Sequence, residues 1–65
     1  MNIFINGEAQ HIECETLWDL IQSLGLEGKR YAVEVNEMII PKSRLAATAI
    51  SDADKIEIIH AVGGG

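Results

Sequence analysis

Apolar and polar positions alternate at the start of the chain. Met1, Ile3 and Ile5 fall on one face, and Asn2, Phe4 and Asn6 on the other. A period of two predicts a strand with one buried face. Asn6-Gly7 follows, a strong hairpin signal because both central positions of a type I′ turn take positive φ. A return strand is expected over Ala9–Glu13.

The period then changes. Thr16 followed three residues later by Asp19 resembles a capping box, a hydroxyl cap with an acid that reaches back to it. Leu17, Leu20, Ile21 and Leu24 come at helical spacing and form one apolar stripe, and Gly25 stands where a left-handed C-terminal cap belongs. These signals predict a helix over Leu17–Leu24.

Three further strands are predicted. Tyr31–Val35 places Val33 and Val35 on one face, Asn36-Glu37 makes a turn, and Met38–Ile40 is a short strand stopped by Pro41. Lys42–Thr48 is weakly patterned and is expected to form one irregular turn. Ser51–Asp54 is a turn cluster. Lys55–His60 is the last strand, with Ile56 and Ile58 inward and Glu57 and Ile59 outward.

The order is β-β-α-β-β-β, an α+β domain in which a mixed sheet carries one helix across one face. The link from the second strand through the helix to the third has the form of a parallel crossover. The expected core is Ile3, Ile5, Leu17, Leu20, Ile21, Leu24, Val33, Val35, Ile56 and Ile58.

Composition narrows the function. The 65 residues suffice for one domain, and a domain this small buries only about 60% of its unfolded surface. A net charge of -5 repels a phosphate backbone and suits a basic partner instead. The single cysteine, Cys14, rules out an intrachain disulfide and the multi-cysteine sites of zinc and iron–sulfur clusters. No apolar run reaches the ~20 residues of a membrane span. The opening residues lack the basic start and cleavage site of a signal peptide, so a cytosolic protein is expected.

The length, the element order, the glycine ending and several segments together resemble the ubiquitin-like β-grasp sulfur carriers, most nearly the ThiS family of thiamin thiazole synthesis. The segments are Met1–Gly7, Thr16-Leu17-Trp18-Asp19-Leu20, Ala32–Asn36 followed by Ile40-Pro41, Asp52–Ile58 and the closing Gly64-Gly65. The family motif needs two terminal glycines, and this chain has a third, Gly63.

The resemblance implies a domain over residues 1–62 and a flexible glycine tail over 63–65. It implies that the Gly65 carboxylate is adenylated by a partner enzyme of the ThiF type using ATP and magnesium. A sulfur donor such as a cysteine desulfurase would convert it to a thiocarboxylate, which delivers sulfur to a thiazole synthase of the ThiG type. The chain itself would bind no cofactor and catalyse nothing.

The chemistry suits such a tail. An α-carboxylate is ionised at neutral pH but is a poor electrophile until a good leaving group is attached. Glycine has no Cβ, so Gly63 and Gly64 can thread a narrow channel and leave the Gly65 carbonyl unshielded. Ordering each tail residue costs about 1–2 kcal/mol with no side chain to bury in return, a cost that a partner's groove can offset.

Phe4 and Ile59 point away from the expected core on strands that a β-grasp sheet sets side by side. With Val62 they form a candidate docking patch. Blander readings apply elsewhere. Glycine tails are common at termini. Cys14 is read as a small buried hydrophobe, His11 and His60 as surface or edge residues, and Trp18 as packing at the helix boundary. Two other functions stay open: the small subunit of molybdopterin synthase, and a noncovalent β-grasp binding module whose tail does nothing.

Overall fold

The computed structural model describes residues 1–60. Strands β1 (Asn2–Ile5) and β2 (Glu8–His11) form the first hairpin, and helix α1 (Leu17–Ser23) follows. Strands β3 (Tyr31–Val35) and β4 (Met38–Ile40) form the second hairpin. A 3₁₀ helix (Lys42–Ala47) then leads to β5 (Lys55–His60).

The five strands make one sheet in the order β2-β1-β5-β3-β4. The parallel pair is β1 with β5, set by Ile5 beside Ile56. The crossover expected between the second and third strands joins β2 and β3. These run in the same direction but have β1 and β5 between them. The last strand completes the middle of the sheet.

Both hairpins turn on an asparagine. Asn6 and Gly7 sit at φ 50 and 84, and Asn36 and Glu37 at φ 50 and 71. The two tight turns match the right-handed twist of the flanking strands.

Helix α1 is fixed at both ends. The Thr16 hydroxyl accepts from the Asp19 amide at 3.2 Å, and the Asp19 carboxylate accepts from the Thr16 amide at 3.1 Å. This completes the capping box. At the C-terminus the Gly25 amide bonds to the Gln22 carbonyl and the Leu26 amide to the Ile21 carbonyl. That pair of bonds is the Schellman arrangement, and Gly25 supplies its left-handed residue at φ 72.

The core differs from the expected one at its margins. Ile3, Ile5, Leu17, Leu20, Ile21, Val33, Ile56 and Ile58 are buried together as predicted. Leu24 is instead 44% exposed, because it caps the helix and the Schellman turn sends Leu26 back into the core. Val35 is half-buried near the end of the sheet. Leu45 and Ile50 join the buried cluster unpredicted.

The connection before β5 is more ordered than one irregular turn. It is a six-residue 3₁₀ helix whose Leu45 is buried. Two main-chain bonds then pin it beside α1, from Leu17 to the Thr48 carbonyl at 3.0 Å and from Ile50 to the Glu15 carbonyl at 2.9 Å. Among the described residues no helix is long and apolar enough to cross a membrane.

Candidate functional site: the end of the last strand and the open sheet face

Strand β5 is the last described element, and the C-terminal residues follow it in the sequence. On one flank it pairs with β3 along its length, from Val35 beside Ile56 to Tyr31 beside His60. On the other flank the pairing with β1 stops at Ile56. Asn6 extends it. Its main-chain amide donates to the Ile56 carbonyl at 2.9 Å. Its side-chain oxygen accepts from the Ile58 amide at 2.8 Å, and its side-chain nitrogen donates to the Ile58 carbonyl at 3.2 Å.

A second asparagine does the same at the start of β5. The Asn36 side chain accepts from the Lys55 amide at 3.0 Å and donates to the Asp54 carboxylate at 3.0 Å. Each hairpin turn thus uses its first residue to hold one end of the strand that bears the tail.

Beside the exit of β5 lies a shallow groove of about 200 Å³, lined by Ile5, Asn6, Leu24, Leu26, Ile58 and His60. The exposed Leu24 that left the core stands at its edge. The predicted tail residues Gly63, Gly64 and Gly65, and Val62 of the docking patch, lie outside the described residues.

The sheet face away from α1 carries Phe4 and Ile59, which are 40% and 63% exposed. Their strands are neighbours, as expected, but the side chains are not. Phe4 stands beside Lys55 on β5 and Ala9 on β2, whereas Ile59 stands beside Ala32 on β3. Four positions along β5 separate Ile59 from the partner of Phe4. Between the two lies Glu57, directly opposite Glu34. Ile39, 74% exposed on the edge strand, flanks Glu34 from the other side. Strand alternation places Ile39 on the same face as Ala32 and Ile59, a signal present in the sequence but not used to extend the patch.

The remaining polar candidates do not converge on a reaction site. His11 has a carboxylate neighbour that was not foreseen: its Nε2 lies 3.0 Å from Glu13, and its Nδ1 3.0 Å from the Asn2 side-chain oxygen. Both members of the His11–Glu13 pair are well exposed, at 63% and 89%, so the histidine remains a surface residue. His60 is exposed. Cys14 is half-buried against the core, its Sγ 3.9 Å from the Ser23 hydroxyl. Trp18 is half-buried on the same cluster. Among the described residues no three His, Cys, Asp or Glu side chains gather as a metal ligand set.

A five-strand mixed sheet in the order β2-β1-β5-β3-β4 with one helix across one face defines the ubiquitin-like β-grasp class. A solved structure of the thiamine biosynthesis protein ThiS from Geobacter metallireducens has the same fold. It is 26% identical, with a TM-score of 0.81 over 100% of both chains. Residues 3–65 match the model of the ThiS family, and the chain belongs to that family.

The sulfur carrier protein ThiS of Bacillus subtilis is 48% identical over 50 residues, which cover 77% of this chain and 76% of the relative. A thiazole synthase of Paramagnetospirillum magneticum is 41% identical over 66 residues, covering 100% of this chain and 20% of the relative. The chain therefore spans about a fifth of the thiazole synthases it matches.

Proposed function

We propose that this chain carries sulfur as a thiocarboxylate on Gly65 and delivers it to a thiazole synthase. One oxygen of the Gly65 carboxylate attacks the α-phosphorus of ATP, and pyrophosphate leaves. A partner adenylating enzyme performs this step with magnesium. A hydrosulfide equivalent from the sulfur donor then attacks the acyl carbon, and AMP leaves. The carrier contributes the Gly65 carboxylate, and the acid, base and metal chemistry is left to the partner enzyme.

The observation that carries this reading is the anchoring of β5. The strand is paired or clamped on both flanks as far as Ile58 and is held by β3 to His60. The family match continues past the strand through Gly63-Gly64-Gly65 to residue 65. Two things favour thiazole synthase as the acceptor over the molybdopterin branch. The family is ThiS, and thiazole synthases contain a stretch similar to this whole chain. Joining carrier and acceptor in one polypeptide raises their effective concentration.

Phe4, Ile59 and Val62 are proposed as the surface from which a partner captures the tail. Phe4 and Ile59 are exposed apolar side chains on a face that also carries Lys55, Glu34 and Glu57, a combination that suits docking.

The test is intact-protein mass after incubation with ATP, magnesium, the adenylating enzyme and a sulfur source. The expected gain is the mass difference between sulfur and oxygen, located at Gly65 by fragmentation. An unchanged mass, or a gain at Cys14, overturns the reading.

A further inference from the structure

We propose that Asn6 is a positioning residue for the carrier reaction: its amide locks the strand that bears the tail to the strand that bears Phe4. The inference rests on the proposed loading of Gly65.

The geometry sets what the amide does. Backbone groups of Ile56 and Ile58 face the β1 side of β5, but β1 turns away after Ile5. Without Asn6 the Ile58 amide and carbonyl would have no partner on that flank. A side-chain amide is the group that can both accept from an N–H and donate to a C=O, and only one orientation of Asn6 satisfies both. Asparagine also tolerates the φ of 50 that the turn imposes. The residue therefore meets two demands at once, and the turn alone explains only one of them.

The consequence is mechanical. Gly65 lies seven residues beyond Ile58, an extended reach of up to about 25 Å. Misplacing a reacting group by about 1 Å can cost up to a hundredfold in rate, so where β5 is held relative to Phe4 bears on how a docked partner receives the residues that follow it. Asn6 follows Phe4 by two residues on the docking face. A partner that grips this face thereby fixes the strand from which the tail departs.

Three variants of the full chain separate aim from stability. N6G keeps the positive φ and removes the amide. N6D keeps the acceptor for the Ile58 amide. N36G removes the equivalent clamp at the far end of β5. Each is assayed well below its unfolding temperature, by amide hydrogen exchange and by ATP–pyrophosphate exchange with the adenylating enzyme.

N6G is expected to speed exchange at Ile58 at least about tenfold while leaving the Phe4 amide protected. It should lower kcat about tenfold with little change in KM for the carrier. N6D, which keeps the acceptor but sets a carboxylate oxygen against the Ile58 carbonyl, should recover only part of the protection of Ile58 and part of kcat. N36G should lower the unfolding temperature and leave kcat unchanged. Wild-type kcat in N6G, or an equal loss in N36G, overturns the positioning role alone. A wild-type chain that the enzyme fails to adenylate overturns the carrier reading and the positioning role together.

Discussion

Glu34 and Glu57 stand directly opposite each other on neighbouring strands of the open sheet face. Like charges in this relation destabilise a sheet, by an amount on the scale of about 0.2–1 kcal/mol for a cross-strand pair. Glu57→Gln removes the repulsion and leaves the shape nearly unchanged. The variant is expected to raise the free energy of unfolding by that amount in low salt. The gain should shrink toward zero near 1 M salt, where the screening length falls to about 3 Å. Urea melts at two salt concentrations check both halves, and a gain that persists in high salt would point to packing instead.

The second hairpin carries a strain the first avoids. Glu37 holds φ 71 at the position that Gly7 fills in the first turn. A side chain in the left-handed region costs roughly 1–2 kcal/mol, part of which glycine loses again through its greater unfolded freedom. Glu37→Gly is therefore expected to stabilise the domain by about 0.5–1 kcal/mol. The Asn36 bonds to Lys55 and Asp54 should survive, since they arise from the preceding residue. Thermal unfolding measures the gain, and a destabilised variant shows that the Glu37 side chain makes a contribution larger than its strain.

Strand and turn positions were legible to within two residues, the return strand running Glu8–His11 where Ala9–Glu13 was expected, because each rests on local signals: period two, Asn6-Gly7, and the Thr16–Asp19 box. The core margins were not, because they depend on where the chain goes after an element ends. Leu24 continues the helical stripe in sequence, yet the helix stops at Ser23 and Gly25 reverses the chain, so Leu26 takes the buried place. Leu45 has no periodic neighbour and is buried only because the 3₁₀ helix is pinned beside α1. Leu45→Ala should cost about 2–5 kcal/mol, the range for a buried leucine, and Leu24→Ala less than about 1 kcal/mol. Equal costs in denaturant melts would restore Leu24 to the core. At the candidate site, Phe4 and Ile59 were legible from alternation. Their separation was not, since it is set by the register of β5 against β1 and β3. The role of Asn6 was hidden behind its value as a turn residue.

Chemistry at Gly65 makes a length-sensitive prediction. Adding one residue after Gly65 moves the carboxylate by up to about 3.5 Å, and a bulky residue in place of Gly65 shields the acyl carbon. Either change is expected to abolish pyrophosphate exchange with the adenylating enzyme. The unfolding temperature should stay unchanged, because Gly65 lies five residues past the last described sheet pair, Tyr31 with His60. Normal exchange by the lengthened chain would mean that the terminal carboxylate is not the reacting group.

Phe4 and Ile59 occupy one face but not one spot, and this bears on how a partner reads them. Ile59 lies four positions along β5 from Lys55, the neighbour of Phe4, a distance of about 13 Å at ~3.3 Å per strand residue. Side chains that far apart with no shared contacts contribute additively, within about 0.3–0.5 kcal/mol. If both dock, Phe4→Ala and Ile59→Glu should each weaken the complex with the adenylating enzyme about tenfold, the scale of a contact worth more than 1 kcal/mol. The double variant should then weaken it about a hundredfold. Titration calorimetry on the three variants tests this. A double variant no weaker than one single variant would mean that the partner covers only one of the two apolar spots. Full affinity in both singles would remove the open face from the interface altogether.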